Sequence, residues 1–284
     1  MLQVSMGSLI SLVIIMLICF VLPLGLFYPL YRYADGKAKT LGIGAAAYIA
    51  CGLVADTALV MLLDMIASVE TSILMYMFYA VVLSPVLFIV LNYLIIKRFG
   101  RDNMHTTGDA MMYSLGYSSV YNILSTGLVA IMYFFTLLDI KNNGGQYLVV
   151  SDADYVSASS TVSASNLVNE TIYNQMVRLC GEPVSYYVIF CINCLWVIAA
   201  YAAVMMVVWL AVKKSNKVLI LAFAFIIRLF IIMPDILDRF KVISNVWVSQ
   251  AVSVVVLVIA WVAALFCRKT FIDGEDAEET EAVR

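Results

Sequence analysis

The chain has 284 residues, of which 64% are hydrophobic and only 13% charged, with a mean hydropathy of +0.98. A water-soluble domain carries about a quarter charged residues, so this composition excludes one and makes the lipid bilayer the first partner. The net charge of −2 offers no basis for nucleic-acid binding.

In lipid every backbone N–H and C=O must be satisfied internally, which leaves helices or a closed barrel. The apolar runs are continuous rather than alternating, so the chain reads as all-α. Seven runs are long enough to span, giving a polytopic integral membrane protein with about seven transmembrane helices. The first runs from about Ser8 to Leu30, with Pro23 and Pro29 near one end as kink or stop signals. The second runs from about Leu41 to Leu63. Its small residues (Gly42, Gly44, Ala45, Ala46, Ala50, Gly52) suit close helix packing. The third runs from about Ile73 to Ile96, with Pro85 as a kink, and the fourth from about Ala110 to Leu138.

A long connection of about 139–183 follows. Ser157 to Ser165 is Ser-, Ala- and Thr-rich and reads as flexible. Asn166 to Leu179 has the spacing of a short surface helix, and Asn169-Glu170-Thr171 matches a glycosylation sequon. The fifth, sixth and seventh spans run from about Ser185 to Val212, Val218 to Leu237 and Val246 to Cys267. Residues 1–271 therefore form one transmembrane domain, and 272–284 an acidic tail expected to be disordered.

Basic residues gather at every second junction. Arg32, Lys37 and Lys39 lie in the first connection, Lys97, Arg98 and Arg101 in the third, and Lys213, Lys214 and Lys217 in the fifth. Arg268 and Lys269 follow the last span. The positive-inside rule then orients the chain N-out and C-in, with a cytoplasmic tail, in the plasma membrane. No cleavable signal peptide is apparent at the start.

The six cysteines include a single one, Cys180, in an expected outside segment, which argues against a disulfide framework. Cys191 and Cys194 form a CxxC inside an apolar span. Zinc needs about four ligands and the only histidine is His105, so small packing residues are the better reading. No cofactor-binding or metal-binding set is evident.

Ionisable groups inside spans cost about 2.5–3.5 kcal/mol and usually face a partner or a cavity. Asp56 in the second span and Arg228 in the sixth are the outstanding pair, at depths their side chains could bridge. Asn92, Tyr117, Tyr121, Asn122 and Asn193 add uncharged polar groups, and Ser114, Tyr117 and Tyr121 share a helix face. Interhelical hydrogen bonding is the bland reading of these residues. The candidate pocket set is Asp56, Asn92, Tyr117, Tyr121, Asn122 and Arg228. It holds no nucleophile with its base, and acid–base chemistry would fall to Asp56 or Asp235.

The order of segments resembles the YhfC family of bacterial intramembrane proteases, relatives of the CAAX prenyl endopeptidases. In that family one helix carries Glu-Glu-x-x-Arg-Tyr, the next Gly-x-Gly-His-Gly-x-x-Glu and a later one His-x-x-x-Asp-x-Pro. Here Phe88-Ile89 stand at the paired glutamates and Asn92 at the arginine. Tyr117 and Tyr121 stand at the histidine and glutamate, and Arg228 and Ile232 at the later histidine and aspartate. Tyr93, Gly116 and Pro234 are retained. The resemblance implies a catalytically inactive relative that binds a membrane peptide or partner protein in a cavity between the third, fourth and sixth helices. Two other classes stay open. An active intramembrane protease with shifted acids would place Asp56 and Asp235 on one hydrated pocket. A small transporter or export-complex subunit would line a pathway with Asp56 and Arg228.

Overall fold

A computed structural model describes residues 4–69, 72–100, 103–143, 184–214, 217–242 and 245–282. All regular structure among these residues is helical. Seven helices are long and apolar enough to cross a membrane: α1 (Met6–Tyr33), α2 (Ala38–Asp64), α3 (Ile73–Gly100), α4 (Thr107–Leu138), α5 (Val184–Lys213), α6 (Lys217–Arg239) and α7 (Trp247–Thr270). The protein is an all-α, multi-pass membrane protein.

Local chemistry sets the boundaries. Ser5 and Ser72 cap α1 and α3, accepting from the backbone N–H of Gly7 and Met75. Asp64 accepts from Val69 N–H at 2.7 Å and closes the turn between α2 and α3. The α-helix of α1 is interrupted at Val21, two residues before Pro23, whose ring would clash with the Cys19 carbonyl in an unbroken helix.

Two helices run on past the ends of their spans. The helix of α4 continues to Asn143, so the long connection starts later than 139. The helix of α7 continues to Ala282. The tail lacks proline and is rich in Glu and Ala, both good helix formers. The flexible stretch, surface helix and sequon expected between 157 and 179 lie outside the described residues.

The chain divides into two compact units. One comprises Met1–Val21 and Ile123–Cys194. Its core joins Leu9, Leu12, Ile15 and Cys19 of α1 to Ala130 and Leu137 of α4 and Tyr187 and Cys194 of α5. The Cys19 and Cys194 sulfurs lie 3.6 Å apart in this packing, and Cys191 is half-buried beside it.

The other unit comprises Leu22–Asn122 and Leu195–Arg284. An extensive contact between helices joins α2 to the first half of α4. Gly44 and Gly116 make this contact possible. A Cβ on Gly44 would lie 1.9 Å from the Tyr113 carbonyl oxygen, and one on Gly116 would lie 2.0 Å from the Leu41 carbonyl oxygen. The two backbones therefore touch at reciprocal glycines. The small-residue face of α2 is thus an interface at Gly44, whereas Gly42 has no neighbour within 4 Å.

Below this contact one fully buried carboxylate joins two helix starts. Asp109 accepts from Lys37 N–H at 2.9 Å, at the N-cap of α2. It also accepts from the N–H groups of His105 and Thr106 at 2.8 and 3.1 Å, and the Thr106 hydroxyl accepts in return from Asp109 N–H. Thr106-x-x-Asp109 is a capping box whose acid reaches a second helix as well. In the same unit, α5 is buried on all sides from Ala203 to Ala211, so it carries no polar stripe.

Gly44→Val should lower stability by about 1–3 kcal/mol, because the Tyr113 backbone cannot yield, whereas Gly42→Ala should be neutral. Asp109→Ala should cost about 2–3 kcal/mol by stranding backbone donors at two helix starts. Thermal unfolding of the purified variants in detergent checks both.

Candidate functional site: a tyrosine-walled cavity

A cavity of about 250 Å³ opens within the larger unit. Helices α2 to α6 each contribute to it. Their contributions follow helical spacing: Tyr48, Gly52 and Asp56 from α2; Tyr76, Tyr79, Ser84 and Phe88 from α3; Tyr117 and Tyr121 from α4; Tyr201 from α5; and Arg228, Ile232 and Asp235 from α6.

Two wide helical turns shape the wall. An i→i+5 segment over Ile49–Ala55 ends immediately before Asp56, and another over Tyr79–Leu83 ends immediately before Ser84 and Pro85. Pro85 lacks an N–H and opposes the Val81 carbonyl, which accounts for the second.

The rings form one connected cluster. Tyr48 and Phe88 meet Tyr117 edge-on at 5.2 and 5.6 Å, and Tyr201 packs on Tyr117, Phe88 and Tyr121 at 5.0, 5.6 and 5.8 Å. Arg228 lays its guanidinium over the Phe88 and Tyr201 rings at 4.7 and 5.1 Å. Its Nε is buried and has no hydrogen-bond partner among the described residues. Tyr79 donates a 2.7 Å hydrogen bond to Asp56 Oδ2. The Asp56–Arg228 pair anticipated from their depths is therefore not formed. The acid takes a phenol and the cation takes aromatic faces.

Of the six sequence candidates, Asp56, Tyr117, Tyr121 and Arg228 line the cavity. Asn92 and Asn122 do not. Asn92 is fully buried behind the wall, donating to the Phe88 carbonyl at 2.8 Å and accepting from the Tyr113 hydroxyl at 2.6 Å. Asn122 is buried where α4 leaves regular α-helical geometry. Sequence reasoning missed Tyr48, Tyr79 and Tyr201, and named Asp235 only as a shifted acid sharing a pocket with Asp56. A signal was available for Asp235, since Arg228, Ile232 and Asp235 recur at i, i+4 and i+7. Tyr201 had none, because α5 is apolar all round. Among the described residues, no group of three His, Cys, Asp or Glu side chains is placed to hold a metal ion.

No protein-family model, curated protein or solved structure matches the chain. The cavity must be interpreted from its own chemistry. It is a small aromatic chamber with one cation and two carboxylates, and its cation lacks an acceptor at Nε.

An arginine kept for a ligand costs stability when the ligand is absent. Arg228→Met should leave the melting temperature unchanged or raise it, with a gain of up to about 1–4 kcal/mol. A loss above 2 kcal/mol would instead make the stacked guanidinium a structural prop. Thermal unfolding without added ligand decides.

Proposed function

We propose that the protein is a non-catalytic binding protein of the plasma membrane, a degenerate relative of YhfC-type intramembrane proteases, holding a membrane peptide or partner segment at its tyrosine-walled cavity. One observation carries this reading. Tyr117, Tyr121 and Arg228 stand where the resembled family has catalytic side chains, and all three line one cavity with Asp56. A protease needs a polarised water, and neither His nor Glu lines this chamber. What remains suits recognition, with rigid aromatic walls and fixed charges at different depths.

The distribution of basic residues supports an N-out, C-in orientation. The ends of α2, α3 and α6 at Asp64, Ile73 and Arg239 then face outward. At 1.5 Å per residue, Asp56 lies about 12 Å from its helix end, Tyr79 about 9 Å and Asp235 about 6 Å, with Arg228 deepest at about 16 Å. The acids would meet an incoming ligand before the arginine does.

A second reading has one specific support. Asp56 and Asp235 line the same cavity, as an aspartic-type protease with shifted acids would require. Against it, Asp56 is already engaged by the Tyr79 hydroxyl.

Incubating the purified protein in nanodiscs with single-span membrane peptides separates the two. The binding reading expects no cleavage. Cleavage abolished by both Asp56→Asn and Asp235→Asn overturns it in favour of the protease. Orientation is checked by reporter fusions after Arg284: a fluorescent C-terminal green fluorescent protein and an inactive alkaline phosphatase are the expected pair.

A further inference from the structure

The cavity's charges constrain its occupant more closely than the binding reading does. Arg228 brings a planar guanidinium to the cavity wall, a shape that matches a carboxylate, and its buried Nε has no partner among the described residues. A lone anion would still meet two carboxylates, Asp56 and Asp235, on the same walls. A lone cation would leave the arginine without an acceptor. A ligand carrying both signs a short distance apart would meet the arginine and the carboxylates together.

Tyr79 is hydrogen-bonded to Asp56 and lines the cavity with Arg228 and Asp235, so charges of both signs stand on the walls of one small chamber. Tyr79 engages Asp56 Oδ2, which leaves Oδ1 to accept from a ligand. The volume of about 250 Å³ lies below the range of roughly 300–1,000 Å³ typical of drug-sized pockets, which points to a compact molecule. The surrounding rings supply apolar contact and cation–π attraction for an ammonium group.

We propose that the cavity binds a small zwitterion of the α-amino-acid class, its carboxylate on Arg228 and its ammonium group against Asp56 and the tyrosine rings. This rests on the cavity being a ligand site, as proposed above, and not on the family resemblance. The occupant is a free small molecule, which would compete with a membrane peptide or partner segment for the same cavity. The carboxylate sits deepest, and the side chain points toward Asp235 and the opening.

The test is thermal unfolding of the purified full chain in nanodiscs with each standard L-amino acid added separately. At a hundredfold excess over Kd, a true ligand should raise the melting temperature by roughly 5 °C. The decarboxylated amine and the N-acetyl derivative of that amino acid should each lose the shift. Arg228→Met and Asp56→Asn should abolish it. The derivatives need no mutant, so the proposal stays testable if either variant fails to fold. It is overturned if no amino acid shifts the wild type, or if the amine or the N-acetyl form shifts it equally. A shift from glycerophosphocholine and from no amino acid overturns it in favour of a lipid headgroup. None of these failures bears on whether the protein cleaves membrane peptides, so the non-catalytic reading stands or falls separately.

Discussion

The larger unit depends on the contact of two helix backbones at Gly44 and Gly116. Apolar side chains gain nothing from leaving lipid for one another, so helix association in a membrane relies on close packing. Reciprocal glycines provide it here. They bring α2 against α4 closely enough for the Asp109 carboxylate to reach the Lys37 N–H. The same approach sets Tyr48 edge-on to Tyr117, which begins the aromatic wall. With a side chain at either glycine the wall and the buried carboxylate would both lose register.

Above this contact the packing gives way to a chamber, and the helices change character as they reach it. One wide turn in α2 ends at Asp56 and one in α3 ends at Ser84, both on the cavity wall. Behind the wall, Asn92 and Tyr113 satisfy each other in full burial. In front of it, Arg228 lies over two ring faces, and its Nε has no hydrogen-bond partner among the described residues. Phe88 is thus flanked by a saturated polar pair on one side and by a cation with an unpartnered Nε on the other.

Much of this was legible in the sequence. Hydropathy and length gave the seven helices to within a few residues, because crossing the bilayer imposes both. The intramembrane charges Asp56 and Arg228 announced themselves by their cost. What the sequence hid has physical causes. Tyr201 and α5 carry no amphipathic signal, since a helix buried on every side has no stripe to read. The phase of Asp56 was obscured by the wide turn before it, which shifts the residues that follow relative to a 3.6-residue repeat. Asn92 and Tyr117 look equally polar on paper, and only the packing of α3 on α4 decides that one is paired and the other lines space. The second reach of Asp109 also lay outside local pattern, although the capping box itself did not.

The bond between Lys37 and Asp109 joins positions 72 residues apart, with all of α3 between them. That fixes an order of biogenesis. At about 5–20 residues per second of synthesis, α2 waits roughly 4–14 s after its own start is made before the carboxylate that completes it exists. Throughout that interval the Gly44 groove faces lipid or the insertion machinery. The first three helices therefore enter the bilayer as an unfinished set, and the arrival of α4 turns them into a folded unit.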